Sequence, residues 1–327
     1  MRLMKTLLAC VAAVACSASP GVSASATEGP VPGRRLVTLD VPSKLVDTGS
    51  QGGAISDAPR NLKVNVVLPA GYDRHRAKSY PVLWLLHGMA GEYDDFLGYV
   101  KKYLLDTQAV IVMPDGGLYG MYSDWRAGGG MTGPQWASYH LDHLLPLIER
   151  RFRIRPERRW HAIAGISMGA QGALRYASFR PGYFGSVAAL SPAMPNTRGL
   201  DMMFGLPLMV LVNGGTGIAT STDIWGPVNG AYAKATNPAD LVRRLKRTRV
   251  YLSSGNGVPC SQDRRTPTLP VDIVLESAVR LQTTAYAKRL RGAGVDLTER
   301  RPGCGVHTFG VWDRAFVDLL RTWGFYR

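Results

Sequence analysis

His161-Ala162-Ile163-Ala164-Gly165-Ile166-Ser167-Met168-Gly169-Ala170-Gln171-Gly172-Ala173-Leu174 decides how the rest of the chain is read. An apolar run leads into Gly-x-Ser-x-Gly and a helix-permissive run leads out, which is the strand, elbow and helix of an activated serine. The two glycines permit a turn too tight for side chains, and that turn thrusts the serine Oγ outward. The helix after it points its N-terminus at the same spot and favours negative charge there. Five residues with three fixed would be a weak signal alone; the strand before and the helix after make it specific.

Working outward, continuous apolar runs at Pro81 to Leu86, Val110 to Met113, Trp160 to Ile166, Ser186 to Leu190, Leu206 to Val212 and Val250 to Leu252 predict strands buried on both faces. Upstream, Leu36 to Leu39 and the alternating Leu62 to Leu68 predict antiparallel strands. Between the runs, Leu141 to Arg151 places Leu144, Leu145, Ile148 and Phe152 on one face, and Val274 to Leu290 has similar spacing. The expected fold is α/β, with a mostly parallel central sheet, helices on both faces, and ligands beyond the carboxyl ends of the strands.

The chain has 327 residues, 46% hydrophobic and 19% charged, which is ordinary globular composition. Arg2 and Lys5, the apolar Leu7 to Ala15, and Ala24-Ser25-Ala26 read as a secretory signal over residues 1–26 with cleavage before Thr27. Residues 27–327 then form one domain, because no linker divides them. Lipid attachment at Cys16 is the less favoured reading, since Ala13-Val14-Ala15-Cys16 lacks the larger aliphatic usual there. No stretch is long and apolar enough for a membrane span. The formal net charge of +15 would draw an exported chain toward an anionic cell envelope, but its Lys and Arg residues are scattered, so solvated surface charge is the favoured reading and envelope association the alternative; nucleic-acid motifs are missing.

Cleavage would leave two cysteines, Cys260 and Cys304, in an oxidising compartment, where a disulfide is expected. Acyl transfer also needs two backbone N–H groups aimed at the developing oxyanion. Met168 supplies one by position, and Met89, in the loop after Leu85-Leu86-His87-Gly88, supplies the other. His87 shapes that loop and precedes the serine, the wrong order for a base.

With the order serine, acid, histidine, only His307 remains as base. The acid stays open between Asp263, close after a strand, and Glu276, whose apolar neighbours suggest a buried carboxylate needing a partner. His140 and His143 are three apart on a helix, but no third ligand is evident, and a solvated or capping role is expected. No metal and no cofactor are expected. Asp124, Trp125 and Trp225 are read as lining or packing residues.

Together, Leu85 to Gly88, Met113 to Gly117 with Tyr122 to Trp125, the elbow at Ser167, Asp223 to Pro227, Ser254 to Gly257 and Val274 to Glu276 resemble the esterase D group of α/β-hydrolases. Within it they are most similar to mycobacterial mycolyltransferases and actinobacterial secreted esterases, from about residue 60 onward. The resemblance implies an α/β-hydrolase fold and a Ser167, His307, Glu276 triad, moving the acid from Asp263 to Glu276. It also implies Met89 and Met168 as oxyanion donors. The transferases carry Asp-Gly-Leu-Arg where this chain has His87-Gly88-Met89-Ala90, and their Asp and Arg bind trehalose. The expected function is therefore a secreted serine esterase acting on small-molecule or lipid esters. Acyl transfer to a sugar or glyceride is the alternative, and a non-catalytic binding protein of the same fold a further one.

Overall fold

The computed structural model describes residues 23–27, 31–46, 62–126, 133–193, 221–261 and 269–324. Among them a nine-stranded sheet runs in the order β1-β2-β3-β5-β4-β6-β7-β8-β9. Its strands are β1 (Ser23–Thr27), β2 (Arg35–Asp40), β3 (Lys63–Leu68), β4 (Val82–Leu86), β5 (Val110–Pro114), β6 (His161–Ile166), β7 (Ser186–Leu190), β8 (Arg249–Ser253) and β9 (Leu297–Arg300). The first three are antiparallel, as is β3 against β5, and every later pairing is parallel. The expected α/β-hydrolase architecture is present.

The apolar runs are continuous because each strand feeds two cores. Val82, Trp84 and Leu86 of β4 join one buried cluster, while Leu83 and Leu85 join the other. β5 and β7 split the same way. Side chains alternate across a strand, so a strand covered on both faces must be apolar at every position. One face is covered by α1 (Leu97–Tyr103) and α8 (Phe309–Trp323), through Tyr99, Val100, Val311, Phe316 and Leu319. The other is covered by α2 (Trp136–Ser138), α3 (Leu145–Arg151), α4 (Met168–Phe179), α5 (Ser221–Trp225), α6 (Ala231–Thr236) and α7 (Pro270–Gly292).

Three readings change in detail. Trp160 ends a 3-10 turn (Arg158–Trp160) instead of opening β6. The helix expected over Leu141 to Arg151 is joined to α2 by a π-helical stretch, Tyr139–Leu144, although Leu144, Leu145, Ile148 and Phe152 are buried as expected. Ala24-Ser25-Ala26 lies in edge strand β1, paired with β2 through Ala24↔Leu39 and Ala26↔Val37. Edge strands accept almost any short segment whose backbone can complete the ladder, so side-chain pattern gave no warning of it. The n- and h-regions, the strand expected over Leu206 to Val212, and Asp263 lie outside the described residues. No described helix is long and apolar enough to cross a membrane.

Strand register sets where the connecting loops emerge. Leu86 pairs with Gly165, Ile166 with Leu190, and Leu190 with Ser253. The loops starting at His87, Ser167, Ser191 and Ser254 therefore leave the same edge of the sheet side by side.

Candidate active site

The strained backbone of the described chain collects on that edge. Its non-glycine residues with positive φ are Ala90, Met121, Tyr122, Ser167 and Ser191, all in loops that come after β4, β5, β6 and β7. Such conformations cost about 1–3 kcal/mol each and persist where the surroundings over-determine them, commonly at functional sites. Ser167 has φ 50° and ψ −117° and is the N-cap of α4. Its N–H donates to Leu190 O, and its carbonyl accepts from Ala170, Gln171 and Ala193.

The elbow is possible only with glycine on both sides. A Cβ on Gly165 would lie 2.3 Å from Gly169 C and O, and one on Gly169 would lie 2.1 Å from Leu86 O and 2.4 Å from His87 O. The start of α4 is thus pressed against the end of β4, and Gly88 of the next loop lies against Ser167.

From Ser167 a line of hydrogen bonds runs inward. Ser167 Oγ is 2.8 Å from His307 Nε2, and His307 Nδ1 is 2.6 Å from Glu276 Oε2. An ionised carboxylate only accepts, so Nδ1–H donates to it and Nε2 is left to accept from the serine hydroxyl. Glu276 is 0% exposed and sits in the second turn of α7, on the stripe that buries Val279, Thr283, Tyr286, Ala287 and Leu290. Its Oε1 accepts from Ser191 Oγ at 2.7 Å and from Gly255 N–H. Buried carboxyl oxygens are costly unless they accept hydrogen bonds, and three donors converge here. His307 lies between β9 and α8; its N–H donates to Asp272 O at 3.1 Å, and its ring meets Trp312 edge-on at 5.1 Å.

Two further loops hold the base in place. Cys260 and Cys304 are disulfide-bonded, Gly305 N–H donates to Val258 O at 2.6 Å, and Gly257 N–H donates to Gly305 O at 2.8 Å. The loop that gives Gly255 N–H to Glu276 is therefore tied to the loop that carries His307.

The two oxyanion candidates, Met89 and Met168, lie in the loop after β4 and at the start of α4. Met168 is the first residue of α4, and helix-start N–H groups have no intrahelical acceptor. In the loop after β4, Ala90 N–H donates to Leu118 O and Gly91 N–H to Gly88 O, and Met89 N–H makes no backbone hydrogen bond among the described residues. His87 props this loop from beneath. Its Nε2 accepts from Gly116 N–H at 2.8 Å, so Nδ1 carries the proton and donates to Gly88 O at 2.7 Å.

Other residues singled out in the sequence prove to be packing. His140 is buried among Tyr122, Trp136, Tyr139 and Tyr176, correcting its expected solvated or capping role. Its Nε2–H donates to Asp115 O, its Nδ1 accepts from Tyr176, and burial lowers its pKa to about 4. His143 is exposed, whereas His140 is buried. Asp124 accepts from Ser138 N–H and Oγ; Trp125 and Trp225 are buried, donating to Gly120 O and Ser123 Oγ.

Sequence reasoning missed Ser191, which no motif marks, and the role of Gly255 N–H within the Ser254 to Gly257 segment. Ser191→Ala leaves Glu276 Oε1 with one donor, and a lost hydrogen bond to a charged group is worth about 1.5–3 kcal/mol. The expected result is a roughly 10- to 100-fold fall in kcat with KM unchanged, and an equal fall in fluorophosphonate labelling. Unchanged labelling alongside normal kcat would remove Ser191 from the site.

Comparison with known proteins gives the family and the fold. The family model described as "Putative esterase" matches residues 55–323. The Mycobacterium tuberculosis esterase Rv1288 is 34% identical over 243 residues, 72% of this chain and 50% of that protein, so the chain spans about half the length of this curated relative. A Mycobacterium leprae diacylglycerol acyltransferase/mycolyltransferase, Ag85A, is 27% identical over 251 residues, 73% of each chain. Among solved structures, Mycobacterium tuberculosis MPT51 (FbpC1) superposes with a TM-score of 0.66 at 19% identity, covering 88% of this chain and 97% of that one. An S-formylglutathione hydrolase from Agrobacterium tumefaciens gives 0.66 at 18% identity, covering 91% and 97%.

Proposed function

The chain belongs to the esterase family, and from that premise we propose that it is an exported serine esterase acting through Ser167, His307 and Glu276. Ser167 Oγ attacks the ester carbonyl, forming the Oγ–C bond as its proton passes to His307 Nε2. Met89 and Met168 N–H receive the oxyanion. Collapse breaks the bond to the alcohol, which takes the proton from His307, and water repeats the sequence to free the acid and restore the serine. Glu276 holds the imidazole and stabilises its cation.

The observation that carries this reading is the unbroken buried line from Ser167 Oγ through His307 to Glu276, at 2.8 and 2.6 Å. Export through residues 1–26, leaving Thr27 first and so removing all of edge strand β1 but Thr27, belongs to the same proposal, and the Cys260–Cys304 bridge suits it.

Similarity to Ag85A favours a second reading, in which an alcohol replaces water. Supplying p-nitrophenyl butyrate with and without trehalose or glycerol separates the two. Under the esterase reading, p-nitrophenol and butyrate are released in equal amounts whatever the additive. Butyrylated trehalose or glycerol formed at the expense of butyrate would establish transfer, and no p-nitrophenol at all would defeat both.

A further inference from the structure

Among the described residues, the large hydrophobic side chains left exposed are Val258, Leu269, Ile273, Val274, Leu281 and Phe309. All lie between residues 258 and 309, and the described chain before them contributes none. A surface helix ordinarily turns polar residues outward. α7 instead carries Ile273, Val274 and Leu281 on its outer side, the last two 65% and 70% exposed, while Glu276 and Val279 face inward.

Val258, Ile273 and Phe309 lie around the base. Val258 O accepts from Gly305 N–H, two residues before His307; Asp272, beside Ile273, accepts from His307 N–H. Phe309, two residues after His307, packs its ring 5.3 Å from that of Trp312, which meets the imidazole edge-on. Contiguous exposed apolar surface of this kind marks a contact with lipid or protein.

Charge decides between them. Of the carboxylates bordering the patch, Asp313 pairs with the Lys102 ammonium, and Asp272 is turned to Leu269 N–H at the start of its own helix. Lys101 stands exposed on α1, whose Tyr99 ring touches Phe309, and Arg314 lies against Cys260. The chain as a whole is at +15. Apolar side chains rimmed by cations match a surface that is hydrocarbon within and anionic outside.

We propose that this rim docks the protein on an anionic lipid surface and presents its esters directly to Ser167. The delivery of esters rests on the esterase reading; the docking does not.

The test is sedimentation of the full chain with vesicles of equal parts phosphatidylglycerol and phosphatidylcholine, and with vesicles of phosphatidylcholine alone. Wild type is compared with Val274→Ser/Leu281→Ser and, on a separate loop, Val258→Ser. All forms carry the same N-terminus, so residues 1–26 contribute equally. Wild type is expected to sediment with the mixed vesicles, at least tenfold more weakly with phosphatidylcholine alone, and the double variant at least tenfold more weakly with both. Val258→Ser should shift binding in the same direction. Hydrolysis of soluble p-nitrophenyl acetate by the double variant should stay within twofold of wild type, while its hydrolysis of dispersed tributyrin falls about tenfold.

Equal sedimentation of wild type and double variant overturns the proposal, as does equal binding to both vesicle types. If no form cleaves p-nitrophenyl acetate, the esterase reading fails, and sedimentation still decides the docking.

Discussion

Ser167→Ala should lower kcat for p-nitrophenyl butyrate by at least about 10⁴-fold, because removal of a serine nucleophile leaves only the contribution of binding and oxyanion donors. The change deletes one oxygen and spares the backbone bonds that hold the elbow: Ser167 N–H to Leu190 O, and Ser167 O to Ala170, Gln171 and Ala193. Alanine meets the same strain at φ 50°, so stability should stay close to wild type. Combining it with His307→Ala should cost almost nothing more, since residues that act as a unit are strongly non-additive. A variant that folds and keeps a tenth of the activity would place the nucleophile elsewhere. Two single variants whose losses multiply would separate His307 from the serine.

Gly169→Ala should lose activity and stability together. The methyl group would meet Leu86 O and His87 O at 2.1 and 2.4 Å, and both belong to backbone at the end of a strand flanked by β5 and β6. Neither atom can yield without moving β4 or α4. Overpacking of this sort costs typically 1–3 kcal/mol and occasionally more; at about 3 kcal/mol the melting temperature of a chain this long would drop by roughly 4–5 °C. The same displacement shifts the loop bearing Met89 against the N-terminus of α4, and loss of one oxyanion donor costs about 10²–10³ in kcat. Gly98→Ala is the control, because a Cβ there has nothing within 4 Å. Equal melting temperatures for the two variants would mean that the tight approach of α4 to β4 does not support the elbow.

Much of the fold was legible because a strand covered on both faces has nowhere to put a polar side chain, and β4, β5 and β7 announce themselves in that way. The elbow was legible because its glycines answer a steric demand. His307 came from chain order alone. Glu276 did not: position after a strand favoured Asp263, whereas Glu276 lies in the second turn of a long helix, and family resemblance was needed to choose it. Ser191 and the role of Gly255 N–H were invisible, since what brings them to Glu276 is the alignment of β7 with β8, set by backbone pairing. The burial of His140 was hidden for a similar reason. A π-helical stretch breaks the spacing by which helix faces are read, and the aromatic rings enclosing it come from three separate segments.

Ser167 and His307 stand 140 residues apart in the chain. At the usual pace of translation, roughly 5–20 residues each second, the elbow leaves the ribosome about 7–28 s before its base. Under the proposed mechanism the growing polypeptide holds, throughout that interval, a nucleophile whose base has not yet been made. On that mechanism docking of β9 and the loop after it onto the sheet is the event that would arm the serine.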